Sequence, residues 1–319
     1  MLRSLLIYLS QAAWAQRLVM GRGFAWRAAS RFIAGTTVDD ALRVIRELNA
    51  AGFLVTLAHL GEHTRTEAEA ADAAFAILRT LEAVKESSLC ANASVKLTQI
   101  GMGLNEQACR HNLERILAKA TACGIFVRID MEDTPYTDQS IALCQEMRAK
   151  GYRNLGLALQ SYLYRTEADA RILLTDKTPI RLVKGAYREP SSKAFPRKAD
   201  VDSNFDLLTR IMMEAAASVQ APNGGASDCF PPIPAIGTHD ERRIIYAIQY
   251  ATKIGLPRSA FEFQMLYGIR RDLQARLQAD GYGVRIYVPF GTHWYPYFVR
   301  RLAERPANIW FFVTNLLRR

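Results

Sequence analysis

The chain is poor in cysteine and histidine and has no long apolar run, and each shortage removes a class of protein. Its five cysteines (Cys90, Cys109, Cys123, Cys144 and Cys229) are scattered, odd in number and form no C-x-x-C pair. That argues against a disulfide framework and a zinc site and fits a reducing, cytoplasmic compartment. No G-x-S-x-G turn marks a serine hydrolase. The first strand-like run leads into HLGEHTRTE (59–67) rather than a glycine-rich phosphate loop, which counts against a doubly wound dinucleotide fold. The N-terminal run MLRSLLIYLSQAAWAQRLVM is interrupted by Ser4, Ser10, Gln11 and Gln16. It falls short of the ~20 apolar residues of a membrane span and reads as an amphipathic helix. No basic run with interleaved aromatics appears, so the net charge of +10 is not that of a nucleic-acid module. It leaves a solubilising surface or loose docking on anionic lipid.

What is present is an ordinary globular composition, 50% hydrophobic and 23% charged over 319 residues. Beyond a helical N-terminal arm of about 45 residues, short β-rich apolar runs alternate with amphipathic stretches. Strands are predicted at Phe53–Leu57, Ala93–Leu97, Phe126–Ile129, Leu155–Gln160, Ile180–Val183, Ala235–Gly237, Phe261–Phe263 and Arg285–Val288. Segments such as EAEAADAAFAILRTLEAV and VDSNFDLLTRIMMEAAASV carry helical spacing, and Gly124 and Gly151 stand where helix ends are expected. Eight buried strands, each followed by helical sequence, predict a single (β/α)8 barrel spanning 1–319.

Barrel active sites form at the C-terminal strand ends, so the polar residues there should converge. The second strand delivers Lys96, the third Asp130, the fourth Gln160, and the fifth Arg181 with Lys184 and Gly185. The sixth delivers Thr238, His239 and Asp240, and the eighth leads to His293. In WYPYFVRRLAE, helical spacing puts Tyr297, Arg300, Arg301 and Glu304 on one face. Two guanidiniums beside a tyrosine suit a small carboxylate, although exposed surface arginines are the commoner meaning of such a pair taken alone. His239 and His293 with Asp130 or Asp240 offer a metal-assisted hydrolase as an alternative, but without the spacing of a helical metal motif. Residue patterns thus reach a barrel enzyme with a cationic pocket, and no further.

The blocks SVKLTQIG (94–101), VRIDMED (127–133), LALQSYLYRTEAD (157–169), RLVKGAYREP (181–190), THD (238–240), FEFQMLYGIR (261–270) and RIYVPFGTHWYPYFVRRLAERPAN (285–308) resemble the proline dehydrogenase family, in family order. The chain is similar to the monofunctional bacterial form. The resemblance implies a distorted (β/α)8 barrel, with its final helix over the mouth, that binds FAD and oxidises L-proline to Δ1-pyrroline-5-carboxylate. Hydride passes to flavin N5, and electrons go on to a membrane quinone, with peripheral membrane contact as a corollary.

It also implies roles. Arg300, Arg301 and Lys96 would hold the proline carboxylate, and Tyr297 and Leu182 would pack on the ring. Asp130 would sit beside flavin and substrate, with Arg181 near N5. Met131 and Gln160 would line the isoalloxazine. Lys184, Gly185 and Ala186 would meet the ribityl-pyrophosphate, and Thr238 and His239 the adenosine half. Glu62 would gate the pocket by pairing with one arginine. No metal is implied. Hydroxyproline is the alternative substrate, and crowding by Tyr297 favours proline. The apolar tail NIWFFVTNLLRR (308–319) reads as a helix packed on the barrel or touching membrane.

Overall fold

Each of the apolar runs becomes a buried parallel strand in the computed structural model, which describes residues 23–218 and 229–304. The strands are β1 (Leu54–His59), β2 (Asn92–Val95), β3 (Val127–Ile129), β4 (Leu155–Gln160), β5 (Ile180–Val183), β6 (Pro234–Gly237), β7 (Glu262–Leu266) and β8 (Gly283–Phe290). They close in sequence order, β8 pairing back onto β1 from Leu54↔Arg285 to His59↔Phe290. All eight expected strands form. β1 and β8 each run two residues further towards the mouth than the apolar runs suggested, because this pairing carries His59 and Phe290 along.

The helices are α1 (Gly23–Ala29), α2 (Val38–Ala50), α3 (Glu67–Glu86), α4 (Glu106–Cys123), α5 (Thr137–Ala149), α6 (Thr166–Thr175), α7 (Lys198–Ser218), α8 (Glu241–Lys253), α9 (Arg271–Ala279) and α10 (Trp294–Glu304). Their starts carry local signals. Thr37 and Asp40 form a capping box, and Thr66, Asn105 and Asp240 cap α3, α4 and α8 through their side chains. Gly124 ends α4 in the left-handed conformation, as expected. Residue 45 lies inside α2, whose Ala41, Val44 and Ile45 belong to the main core. Residues 1–22 of the arm and the tail 308–319 lie outside the described residues. Among those described, no helix is long and apolar enough to cross a membrane.

The barrel interior holds two fully buried arginines. Arg285 of β8 donates to both oxygens of Glu262 on β7, at 2.8 and 3.0 Å, and Gln264 adds a third bond at 2.5 Å. Arg128 of β3 donates to the Pro179 and Leu157 carbonyls at 2.6 and 3.3 Å. Gly156 makes room for it, since a Cβ there would meet the Pro179 carbonyl, Arg128 and Phe126.

One expectation is overturned. Cys90 and Cys229 form a disulfide with a Cα–Cα separation of 5.4 Å, across 139 residues of sequence. Cys90 lies just before β2 and Cys229 five residues before β6, on opposite sides of the barrel, so it is the segment leading into β6 that reaches Cys90, and linear spacing gives no hint of it. Phe230 packs edge-on to Phe126 beside it. The other three cysteines are buried and free.

Helix α10, the last among the described residues, packs outside this core. Trp294, Phe298 and Leu302 of α10 join Ala25 and Ala29 of α1, with Phe32, Leu60 and Ile269, in a separate apolar cluster. Trp26 meets Trp294 edge-on at 5.5 Å.

The buried Arg285–Glu262 pair generates a test. Glu262→Leu should cost about 3–5 kcal/mol, because a buried guanidinium loses its carboxylate, whereas Glu262→Leu combined with Arg285→Met should recover most of that loss. Denaturant unfolding of the two variants against the parent measures both.

Candidate active site

Polar residues at the C-terminal strand ends converge on one cavity of about 550 Å³. Among the residues expected there, Lys96, Asp130, Met131, Gln160, Arg181, Lys184, Gly185, Ala186, Thr238, His239, Tyr297, Arg300 and Arg301 all line it. Leu182 does not. Arg181 and Val183 face the cavity, and strand alternation turns the fully buried residue between them into the core. The contact expected between Leu182 and a substrate ring is therefore absent from this geometry.

Asp130 stands at the centre, 8% exposed. Its Oδ1 accepts from Ser94 Oγ at 2.5 Å and from Arg181 Nη2. Its Oδ2 accepts from Tyr287 OH at 2.8 Å and Lys96 Nζ at 3.3 Å. Burial alone would raise its pKa. The Arg181 and Lys96 charges, with the Ser94 and Tyr287 hydrogen bonds, outweigh it and hold the carboxyl well below its usual range. Burial likewise works against charge on Lys96, but the surrounding oxygens of Tyr287, Asp130, Tyr187 and Glu62 push its pKa well up. The Arg181 guanidinium also lies over the Tyr287 ring at 5.4 Å.

Sequence reasoning missed Ser94, Tyr187 and Tyr287. The available signal was strand alternation: Ser94 lies two residues before Lys96, and Tyr287 two after Arg285, each on the inward face.

Glu62, in the loop after β1, grips Arg300 of α10 with both oxygens, at 2.5 and 3.1 Å. Burial would raise the Glu62 pKa, and Arg300 and Lys96 bring it down below its ordinary value. Arg301 lies 5.0 Å over the Tyr297 ring. Elsewhere in the wall, Lys184 Nζ donates to Asp202 at 2.5 Å and Asp240 at 2.6 Å. His239 Nε2 accepts from the Leu266 backbone N–H at 2.9 Å, so that lone pair is committed to the scaffold. His293 lies outside the cavity wall. Among the described residues, no three His, Cys, Asp or Glu side chains are grouped to hold a metal ion.

The cavity wall carries Lys96, Arg181, Lys184, Arg300 and Arg301 against Asp130 and Asp240. Adding Glu62 and Asp202 still leaves positive charge in excess. Such a site favours anions. Gln160 Oε1 is buried in the wall without a hydrogen-bond partner, and an unsatisfied buried acceptor asks for a donor on a ligand. Cations, apolar Met131 and Met265, and this orphan carbonyl together suit a long anionic cofactor with a polar heteroaromatic end, beside a small carboxylate.

Comparison with known proteins points to one family. The profile of the family described as Proline dehydrogenase matches residues 41–313. Proline dehydrogenase 1 of Bacillus subtilis is 36% identical over 319 residues, covering all of both chains. The proline dehydrogenase of Deinococcus radiodurans is 38% identical over 304 residues, 94% of this chain and 93% of that one. The crystal structure of proline utilization A from Bdellovibrio bacteriovorus, inactivated by N-propargylglycine, superposes with a TM-score of 0.78 at 25% identity. It covers 88% of this chain, which spans about a third (33%) of that longer protein.

The Asp130 cluster sets a prediction. Asp130→Asn leaves Lys96 and Arg181 without their shared counter-charge and should lower stability by about 3 kcal/mol near neutral pH. A depressed carboxyl contributes stability that is full above its unfolded value of about 3.9 and is lost as pH falls towards the folded value. The gap between parent and variant should therefore be constant between about pH 6 and 8 and narrow below about pH 4. Thermal unfolding across that range checks it.

Proposed function

The chain belongs to the proline dehydrogenase family, and on that premise we propose that it is an FAD-dependent L-proline dehydrogenase forming Δ1-pyrroline-5-carboxylate, with a quinone as the onward electron acceptor. The observation that carries this reading is the cavity itself. Its wall gathers Lys96, Arg300 and Arg301 together with Arg181 and Lys184, and it also includes Gln160, Thr238 and His239. FAD, when bound, supplies the acceptor for the hydride that leaves the proline ring.

The protein's own residues bind and orient the substrate. Arg300, Arg301 and Lys96 hold the carboxylate, and charge-assisted bonds of this kind fix orientation before any bond breaks. Tyr297 and Tyr287, both in the cavity wall, supply ring surface to the substrate, and the buried Leu182 does not. Arg181, anchored by Asp130, faces the centre of the cavity. A fixed cation there favours negative charge arriving on the cofactor, a contribution worth a few kcal/mol when well aimed, about 3 by analogy with single oxyanion-hole donors. Met131 and Gln160 would flank the heteroaromatic ring of the cofactor, Lys184, Gly185 and Ala186 would hold its pyrophosphate, and Thr238 and His239 would serve its adenosine half. Lys184, paired with Asp202 and Asp240, can exchange one carboxylate for a phosphate oxygen. The substrate amine gives its proton to solvent, balancing the hydride.

Glu62 and Arg300 close the loop after β1 against α10, and we read this pair as the closure over bound proline. The basic surface gives the protein a means of loose contact with an anionic membrane, where quinone resides. The whole chain is read as one barrel unit.

Two measurements test this. The purified protein, supplied with FAD, should show oxidised flavin absorbance that bleaches anaerobically with L-proline and hardly with D-proline or hydroxyproline. Flavin bands untouched by L-proline would overturn the substrate, and failure to take up FAD would overturn the cofactor. For the closure, Glu62→Ala should raise KM for proline by about tenfold while kcat falls less, as expected when a binding interaction is removed. An unchanged KM would remove Glu62 from that role.

A further inference from the structure

The loop that carries Glu62 has no regular structure of its own between His59 and Glu67, yet its carboxylate must meet a guanidinium 238 residues away in sequence. What holds it is a second, deeper set of bonds. Two residues beyond Lys96, the 3-10 turn Thr98–Ile100 follows β2. Two residues beyond Asp130 stands Glu132, 1% exposed and outside the cavity wall. Glu132 accepts from the Thr98 backbone N–H at 3.0 Å and from Thr98 Oγ1 at 2.5 Å.

The same Thr98 hydroxyl, having donated its proton to Glu132, accepts from the His63 backbone N–H at 3.1 Å. The Thr98 carbonyl accepts from Thr64 Oγ1 at 3.0 Å and from the Thr64 N–H at 3.3 Å. Next door, Gln99 Nε2 donates to the His59 carbonyl at 3.2 Å, and it lies so close over Gly61 that a Cβ there would meet it at 2.7 Å. His63 takes a left-handed φ of 51°, a conformation that a non-glycine residue keeps when its surroundings impose it. A hydroxyl with one proton can face both ways only if a strong acceptor fixes that proton, and the buried carboxylate is that acceptor.

We propose that Thr98 and Glu132 are positioning residues for the closure: Glu132 orients the Thr98 hydroxyl, Thr98 clamps the backbone of His63 and Thr64, and the clamp delivers Glu62 to Arg300. This rests on the reading of Glu62 and Arg300 as the closure over proline. Neither Thr98 nor Glu132 touches the cavity, so the pair acts on substrate only through the loop. The arrangement lets the strand ends that carry the chemistry, Lys96 and Asp130, fix the closing loop through the residues two positions further along the same two segments.

The test is a double-mutant cycle on the flavin-loaded enzyme. Thr98→Val keeps the shape and removes the hydroxyl, leaving the His63 N–H without its acceptor. It should raise KM for proline about tenfold, the size expected for one buried donor left unpaired, with a smaller change in kcat. Thr98→Ser, which restores the hydroxyl, should return KM to within about twofold of the parent. In a Glu62→Ala background, Thr98→Val should change KM by less than about twofold, because the residue it positions is gone. Should Thr98→Val fail to fold, Glu132→Gln takes its place in the cycle, with the same expectation.

An equal KM effect in both backgrounds would overturn the proposal and leave Thr98 a general packing residue. So would a Thr98→Val enzyme with the parent's KM. A Glu62→Ala enzyme with the parent's KM would instead overturn the closure, and the clamp with it. The single variants thus separate failure of the clamp from failure of the reading beneath it.

Discussion

The site depends on one buried carboxylate. Asp130, leaving β3, accepts hydrogen bonds from Ser94 and Lys96 of the β2 segment, Arg181 of β5 and Tyr287 of β8. Without it, Lys96 and Arg181 would face each other in the cavity wall without a shared counter-charge. At an effective dielectric of about 20, a pair of like charges some 4 Å apart repels by about 4 kcal/mol. Asp130 turns that repulsion into attraction and fixes both groups in place. It neutralises less than the cations supply, so the cavity stays positive and remains attractive to an anion. Preorganisation and binding therefore come from the same charge arrangement.

Around this centre the barrel divides the work by strand. β2, β3, β5 and β8 hold the central cluster, while Lys184 after β5, His239 after β6 and Gln264 to Leu266 of β7 complete the wall. α10 brings Arg300 and Arg301 from outside, on an aromatic cluster shared with α1 and distinct from the barrel core. The covering helix is thus bound to the mouth by ring packing and by the Glu62 pair, a lighter attachment than the continuous core beneath. Elements held this way are the ones from which moving parts of enzymes are drawn.

The barrel was legible in the sequence because parallel strands buried on both faces appear as short apolar runs between amphipathic helices, and these differ in period. The strand-end residues were legible because barrel geometry gathers them whatever the register. What was hidden depends on register or on closure. The inward phase of β5, which puts Arg181 in the cavity and Leu182 in the core, needs the pleat to be known. Tyr287 joins Asp130 from 157 residues away, and Cys90 meets Cys229 across the barrel, so neither pairing leaves a local trace. Glu132 and Thr98 were quoted only as parts of motifs, since a buried acid bound to a backbone turn looks like any polar residue in a one-dimensional reading.

The claim that joins these observations is that the positive excess at the mouth recognises a carboxylate on a five-membered ring. The most direct measurement compares the affinity of two non-oxidisable ligands: a proline-shaped ring carboxylate with the nitrogen replaced by oxygen, and its neutral amide. Loss of charge-assisted hydrogen bonds from the arginines should weaken the amide by about a hundredfold, ~2.7 kcal/mol. Equal affinities for the two would contradict the account, because the cations would then be scaffold rather than recognition.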